Sequence, residues 1–389
     1  MIDRRFFIAG GAASAATLGF APRLVFAKAA TAKRFVFIIQ RGAADGLGMI
    51  APVGDPAFAS ARGVLAADFA DVPKIDSMFA LHPNLKTIGA LYGQKQALFA
   101  HATASPYRDR SHFDGQNVLE TGGAGAYQVK DGWLNRLLGL LPAEQAKAIA
   151  VSITVPMALR GARDVSSYAP SALPQASEDL LQRVAMLYDG DKQLHALWSD
   201  AMSTRALTSD MDASGGMNGG ANNPRNAAAT GALAAKLLAP SDGARIAMIE
   251  TGGWDTHAQQ RGRLANQLTG LDAMVAALKD GLGPLWAETM VLVATEFGRT
   301  VALNGTGGTD HGTASSAMLL GGAVKGGRVI ADWPGLAPAA LYEGRDLKPT
   351  LPLDALIGGA VAGHFGIDPA GAMPALFPAT KARGIEGLV

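Results

Sequence analysis

The chain has no cysteine. Disulfides, thiolate metal sites and cysteine nucleophiles are therefore excluded outright. Charge is sparse, at 17% of residues, and nearly balanced, with 34 basic against 33 acidic side chains. No basic field is available to attract nucleic acid or anionic lipid. Past the amino terminus no apolar run approaches the ~20 residues that a membrane span requires, so no permanent span is expected. Three familiar signatures are also missing: a GxxxxGK[ST] phosphate loop, a GxSxG nucleophile elbow and a GxGxxG cradle after a strand. What the chain does have is bulk. Its 389 residues are 49% hydrophobic, with 48 Gly and 20 Pro, enough for a sizeable core and turn-rich connections.

The first 27 residues contain Arg4-Arg5, then Phe7-Ile8, a Gly/Ala-rich apolar stretch, Arg23, and small residues around Ala27. This resembles a twin-arginine export signal, which places the mature protein in the periplasm or outside the cell. Removal of residues 1–27 takes away Arg4, Arg5, Arg23 and Asp3. That leaves 31 basic and 32 acidic residues, a net charge of −1.

Four short apolar runs each lead into polar, metal-capable residues. RFVFIIQ (34–40) runs into Arg41 and Asp45, and ARIAMIE (244–250) into Asp255 and His257. TMVLVATE (289–296) ends on Glu296, followed by Arg299 and a Gly-rich turn with Asp310 and His311. ALFAHA (97–102) leads to Arg108, Ser111, His112 and Asp114. Such runs read as buried strands of a parallel sheet, and ligands in open α/β sheets lie past the carboxyl ends of the strands. AKAIAVSIT (146–154) adds a further strand, and Thr313–Ile330 reads as a strand or hairpin around Lys325-Gly326-Gly327. Helical periodicity marks 84–94, 111–121, 177–203, a stretch to Leu238, 261–282 and 353–365. Residues 204–228, rich in Gly, Asn and Ser, read as a flexible loop. Strand–helix alternation predicts one α/β domain over 28–389.

Asp255 and His257, at i and i+2 in extended chain, face one side and can reach one ion. Asp310 and His311 can converge from a turn. Carboxylate–imidazole mixtures suit Zn²⁺, Mn²⁺ or Fe, and oxygen-rich sites suit Mg²⁺ or Ca²⁺. Asp45, Asp255, His257, Asp310 and His311 are thus the candidate metal ligands, for one or two divalent ions. Ser111 is a good N-cap and equally a candidate nucleophile at a helix start. His112 is a candidate ligand or proton donor. Glu296 could ligate or orient a histidine. Arg41 and Arg299 could bind an oxyanion or simply pair with carboxylates, Arg299 with Glu296.

The motifs RGAADGL, SHFDGQNVLETG, ETGGWDTH, TEFGRT and GGTDHG, in that order, resemble the bacterial "domain of unknown function 1501" family across nearly the whole chain. The resemblance implies membership of the alkaline phosphatase and sulfatase superfamily: a large, mostly parallel sheet flanked by helices, one or two metal ions, and hydrolysis of phosphate or sulfate esters. On that resemblance Asp45 is similar to the first metal-binding Asp, Asp255 and His257 to the later Asp/His pair, and His311 to a ligating His, with Glu296 or Asp310 between them. The superfamily nucleophile position falls on His112, with Ser111 one residue earlier, and Glu296 stands where Asp-His is usual. Both are departures from the pattern. The expectation is an exported metal-dependent ester hydrolase acting on small-molecule or glycan esters, with Ser111 or an activated water attacking. The alternative is a non-catalytic, metal-stabilised periplasmic protein that binds an envelope partner on the same scaffold.

Overall fold

The computed structural model describes residues 33–169, 178–213 and 224–389. The leader expected at 1–27 lies outside the described residues, and Thr31–Val389 forms one compact unit. Its main sheet has nine strands. β1 (Arg34–Gln40), β4 (Ala97–Ala104), β5 (Ala148–Val151), β6 (Ser166–Ser167) and β7 (Ile246–Thr251) are joined by β8 (Thr289–Ala294), β9 (Ser315–Leu320) and β10 (Arg328–Ile330). They lie in the order β10-β4-β9-β8-β1-β7-β5-β6, and β11 (Leu351–Pro352) pairs with β4. Only β9 runs antiparallel to its neighbours. β2 (Ile50–Ala51) and β3 (Ala80–Leu81) form a separate antiparallel pair.

The apolar runs form strands because both faces of the sheet are covered. In β1, Phe35, Phe37 and Ile39 enter one core, and Val36 and Ile38 the other. A strand buried on both faces reads as a continuous run and not as an alternation. The first core receives α2 (His112–Thr121), α3 (Trp133–Leu140), α8 (Leu353–Phe365) and α9 (Pro369–Leu376). Trp133 anchors it, its ring 6.1 Å from Phe35 and 5.5 Å from Phe37. The second core receives α1 (Lys86–Gly93), α6 (Ala227–Leu238) and α7 (Gln260–Leu282).

Two expectations change. β9 and β10 do not form a hairpin: they lie on opposite sides of β4, β9 antiparallel to it and β10 parallel. β4 is buried throughout and supplies a ladder edge to each, so long-range pairing replaces the local turn. Within 204–228, the first ten residues continue α5 (Lys192–Ala213), which follows α4 (Glu178–Tyr188). Pro224–Asn226 is a 3₁₀ turn leading into α6. Ala, Met and Leu between the polar residues of 204–213 supply adequate helix propensity. The Gly-rich centre, 214–223, lies outside the described residues.

Two buried histidines, His101 and His364, set an acid limit on the fold. Nε2–H of His101 donates to the Ile50 carbonyl at 2.9 Å, and that of His364 to the Arg34 carbonyl at 2.9 Å. Burial pushes both imidazoles down to about 4. Above pH 6.5 both are neutral whether folded or unfolded. Between 6.5 and about 4 the unfolded chain binds protons that the folded chain refuses, so stability falls with pH. The slope is at most about 1.4 kcal/mol per pH unit per histidine. His364→Gln should flatten the loss of urea midpoint between pH 6.5 and 4. Equal slopes in the two proteins would overturn this account.

Candidate metal centre

β1, β7 and β8 are adjacent and parallel, so the loops after Gln40, Thr251 and Ala294 open at one edge. β4 runs the same way across β9, which brings the start of α2 to that edge. The loop after β8 returns past the β7 loop, with Thr309 N–H on the Thr256 carbonyl at 3.1 Å.

Three imidazoles meet there. Nε2 of His311 lies 2.9 Å from Nε2 of His112 and 3.0 Å from Nε2 of His257. Asp255 joins them: its Oδ1 is 3.0 Å from His257 Nε2 and 3.3 Å from His311 Nε2, and its Oδ2 is 3.5 Å from His112 Nε2. Ligand atoms of His112, Asp255 and His311 all lie within 4.8 Å of one another.

The far nitrogen of each ring is spoken for. His112 Nδ1–H donates to Glu296 Oε1 at 2.8 Å, and His257 Nδ1–H to Asp310 Oδ1 at 3.0 Å. His311 Nδ1–H donates to the Arg110 carbonyl at 2.9 Å. With the proton on Nδ1, every Nε2 presents a lone pair to the same small volume. One proton can bridge one pair of nitrogens. It cannot serve three nitrogens and a carboxylate, whereas a divalent cation can. The donor set therefore fits a metal ion.

The supporting groups are well anchored. Glu296 is fully buried, and its Oε1 also accepts from Gly42 N–H at 2.9 Å, Ala43 N–H at 3.1 Å and Gln116 Nε2 at 3.2 Å. Burial pushes its carboxyl up, but these donors, His112 foremost, hold it below the usual range. The Glu296 hydrogen bond correspondingly raises the His112 imidazole against its partial burial. Burial, then the neighbouring His112, lowers His311. Asp255 opposes its own desolvation through Arg299 and ends below the usual carboxylate range. Hydrogen bonds from Asn304 and then His257 lower Asp310.

The expected residues divide into those gathered here and those engaged elsewhere. His112, Asp255, His257 and His311 converge. Glu296 and Asp310 stand behind two of the histidines. Ser111 is the N-cap of α2, but its hydroxyl makes no cap hydrogen bond. Asp45, expected as a ligand, instead accepts from the buried Arg62 and from Gln260 Nε2, and makes no contact with the cluster. Arg62, 17 residues further along the chain, pairs with a carboxylate that strand-end placement had assigned to metal. Arg299 does not pair with Glu296. Its Nη1 is 2.5 Å from Asp255 Oδ1, and its Nε donates to Thr309 Oγ1 at 3.2 Å. Arg41 is matched by Glu120 at 2.8 Å and by Glu250. Among the described residues, neither expected guanidinium is therefore left free at the cluster for an oxyanion.

Sequence reading missed three contributors. Gln116 lies one turn after His112 on α2 and so shares its face; that signal was present. Asn304 bonds both the His257 carbonyl, at 2.9 Å, and Asp310 Oδ1, at 3.1 Å. The Arg110 carbonyl is aimed by a left-handed backbone, φ +61°, which no side-chain pattern encodes.

Gly42 makes the assembly possible. Its φ is +115°, and a Cβ there would lie 2.6 Å from the Asp255 backbone nitrogen. Gly42→Ala is expected to cost at least ~1 kcal/mol of stability and to displace Asp255. Gly252→Ala, two residues before Trp254 and with nothing within 4 Å, is the control. Equal urea midpoints for the two variants would contradict the constraint.

The family described as "Protein of unknown function (DUF1501)" matches residues 32–373. No curated protein gives a match. Among solved structures the chain is similar to Ps i-CgsB in complex with k-i-k-neocarrahexaose, at 11% identity and TM-score 0.42, covering 89% of this chain and 76% of that one. It is similar to the C-terminal periplasmic domain of EcEptC from Escherichia coli, in complex with Zn, at 9% identity and TM-score 0.35, covering 74% and 72%. It is also similar to the phosphonate monoester hydrolase of Agrobacterium radiobacter, at 13% identity and TM-score 0.31, covering 77% and 70%. Likeness of this degree leaves the chemistry to be read from the residues.

Proposed function

We propose that this chain, which belongs to the family described as a protein of unknown function (DUF1501), holds a divalent cation among His112, His257, His311 and Asp255 and hydrolyses phosphate or sulfate esters there. The observation that carries the reading is the convergence of three Nε2 atoms whose Nδ1 partners are already fixed. Three imidazoles and one carboxylate favour Zn²⁺, Mn²⁺ or Fe over Mg²⁺ or Ca²⁺. When bound, the cation supplies Lewis-acid polarisation of an ester oxygen.

The chain's own residues do the rest. Glu296 and Asp310 hold the proton on Nδ1 of His112 and His257 and fix the ring planes. Arg299, locked onto Thr309, holds Asp255 in place. Phe297 stacks on His112 with centroids 5.1 Å apart and keeps water from that ring face. The attacking group is the Ser111 hydroxyl or a water.

A second reading rests on one observation. Both arginines that could have stabilised transition-state charge are matched by carboxylates. That favours a metal-stabilised, non-catalytic protein that binds a partner in the cell envelope. Either reading includes export, through the Arg4-Arg5 leader.

Metal content and turnover separate the two. The purified protein should bind about one equivalent of Zn²⁺ or Mn²⁺. Affinity should fall 10–100-fold in Asp310→Asn, whose side chain only orients a ligand, and further in His311→Ala. Because Glu296 raises the His112 imidazole, proton competition should weaken binding already as pH falls from above 6.5. Loaded protein should cleave 4-nitrophenyl phosphate or sulfate, and Ser111→Ala should tell hydroxyl attack from water. Full loading with no ester cleaved leaves the partner-binding reading; absence of binding removes both. For export, Arg4→Lys/Arg5→Lys should retain the protein in the cytoplasmic fraction. Unchanged periplasmic recovery would refute the leader.

A further inference from the structure

A cavity of about 350 Å³ lies beside α2, the start of α8 and the C-terminal segment, and no residue of the histidine cluster lines it. Val118 and Leu119 of α2 and Phe377 give it apolar walls. Arg108, Lys381 and Asp354 bring two positive charges and one negative.

Arg108 is the unusual member. Its Nη1 donates to the Ser105 carbonyl and to that of Tyr107 at 2.7 Å. It has no carboxylate partner among the described residues. Arg41, Arg62, Arg110, Arg136 and Arg299 each have one; Arg160, Arg245 and Arg328 also bond backbone carbonyls alone, but they do not line this cavity. Partial burial lowers the affinity of Arg108 for its proton. A half-buried cation without a counter-charge costs free energy that an anion would recover. The Asp354 Oδ1 is held by Ala355 N–H at 2.8 Å, so its charge stays in the wall. The lining thus carries a net charge of +1.

Those features define an occupant. A net +1 wall selects a single negative charge over a phosphate dianion. The apolar walls select a hydrocarbon body. The volume, near the lower end of ligand pockets at roughly 300–1,000 Å³, excludes a polymer. We propose that this cavity binds a small amphipathic monocarboxylate, its carboxylate on Arg108 and Lys381 and its chain against Val118, Leu119 and Phe377. The inference does not depend on the metal centre.

Calorimetric titration of the full-length protein with octanoate tests it, with 1-octanol and octyl phosphate as comparison ligands. Octanoate should saturate at one equivalent with a dissociation constant below about 10 mM. A charge-assisted contact is worth a factor of roughly ten or more. 1-Octanol, octyl phosphate and the Lys381→Glu variant should therefore each bind roughly tenfold or more weakly. Lys381 is exposed, so its replacement should spare the fold, whereas Arg108→Met removes two bonds to backbone and is read only if its thermal midpoint is kept. No saturation, equal affinity for 1-octanol, or octanoate binding unchanged in Lys381→Glu would each overturn the proposal. Tighter binding of octyl phosphate would do so too, since it would reassign the cavity to phosphate-headed ligands.

Discussion

The carboxylate of Glu296 is the point on which the strand-end geometry depends. It sits where β8 ends, accepts the backbone N–H groups that follow β1, and orients the first residue of α2. The loop after β1 and the start of α2, 254 and 184 residues away in sequence, are thereby fixed to one carboxylate oxygen. Isolated burial of such a charge is costly. Here four donors, from His112, Gly42, Ala43 and Gln116, meet its Oε1. The consequence is that His112 is held toward the other two imidazoles, which Asp310 and the Arg110 carbonyl fix in turn.

Much of the scaffold was legible because its signals are local. β1 coincides with its apolar run, and α8 with its periodic segment, since burial on both sheet faces leaves a continuous hydrophobic string and amphipathic helices leave a repeat. For the β9–β10 segment, read as a strand or a hairpin, the hairpin alternative failed for the opposite reason. Its pairing partner, β4, lies over 200 residues away, and a Lys-Gly-Gly sequence looks like a hairpin turn whether or not the flanking strands meet.

The site was legible in its side chains and not in its allegiances. Asp255, His257 and His311 could be placed from type and strand-end position. Asp45 has the same position and the same chemistry, yet it belongs to Arg62. Both Asp45 and Asp255 receive an arginine, and only tertiary packing decides that Asp255 also faces the imidazoles while Asp45 faces Gln260. Arg299 shows the same limit, since a partner three residues away was the natural expectation and one 44 residues away prevailed. The Arg110 carbonyl lies beyond any reading of side chains, because its direction comes from a backbone dihedral.

Helix α2 links two parts of the molecule that share no residues. Its first residue is His112, and its later turns carry Val118 and Leu119 of the cavity wall. Ten residues make a rod of roughly 15 Å, stiff over that length. Such a rod transmits displacement from end to end. A ligand that shifted it at one end would bear on the other, and any such coupling would be equal in both directions.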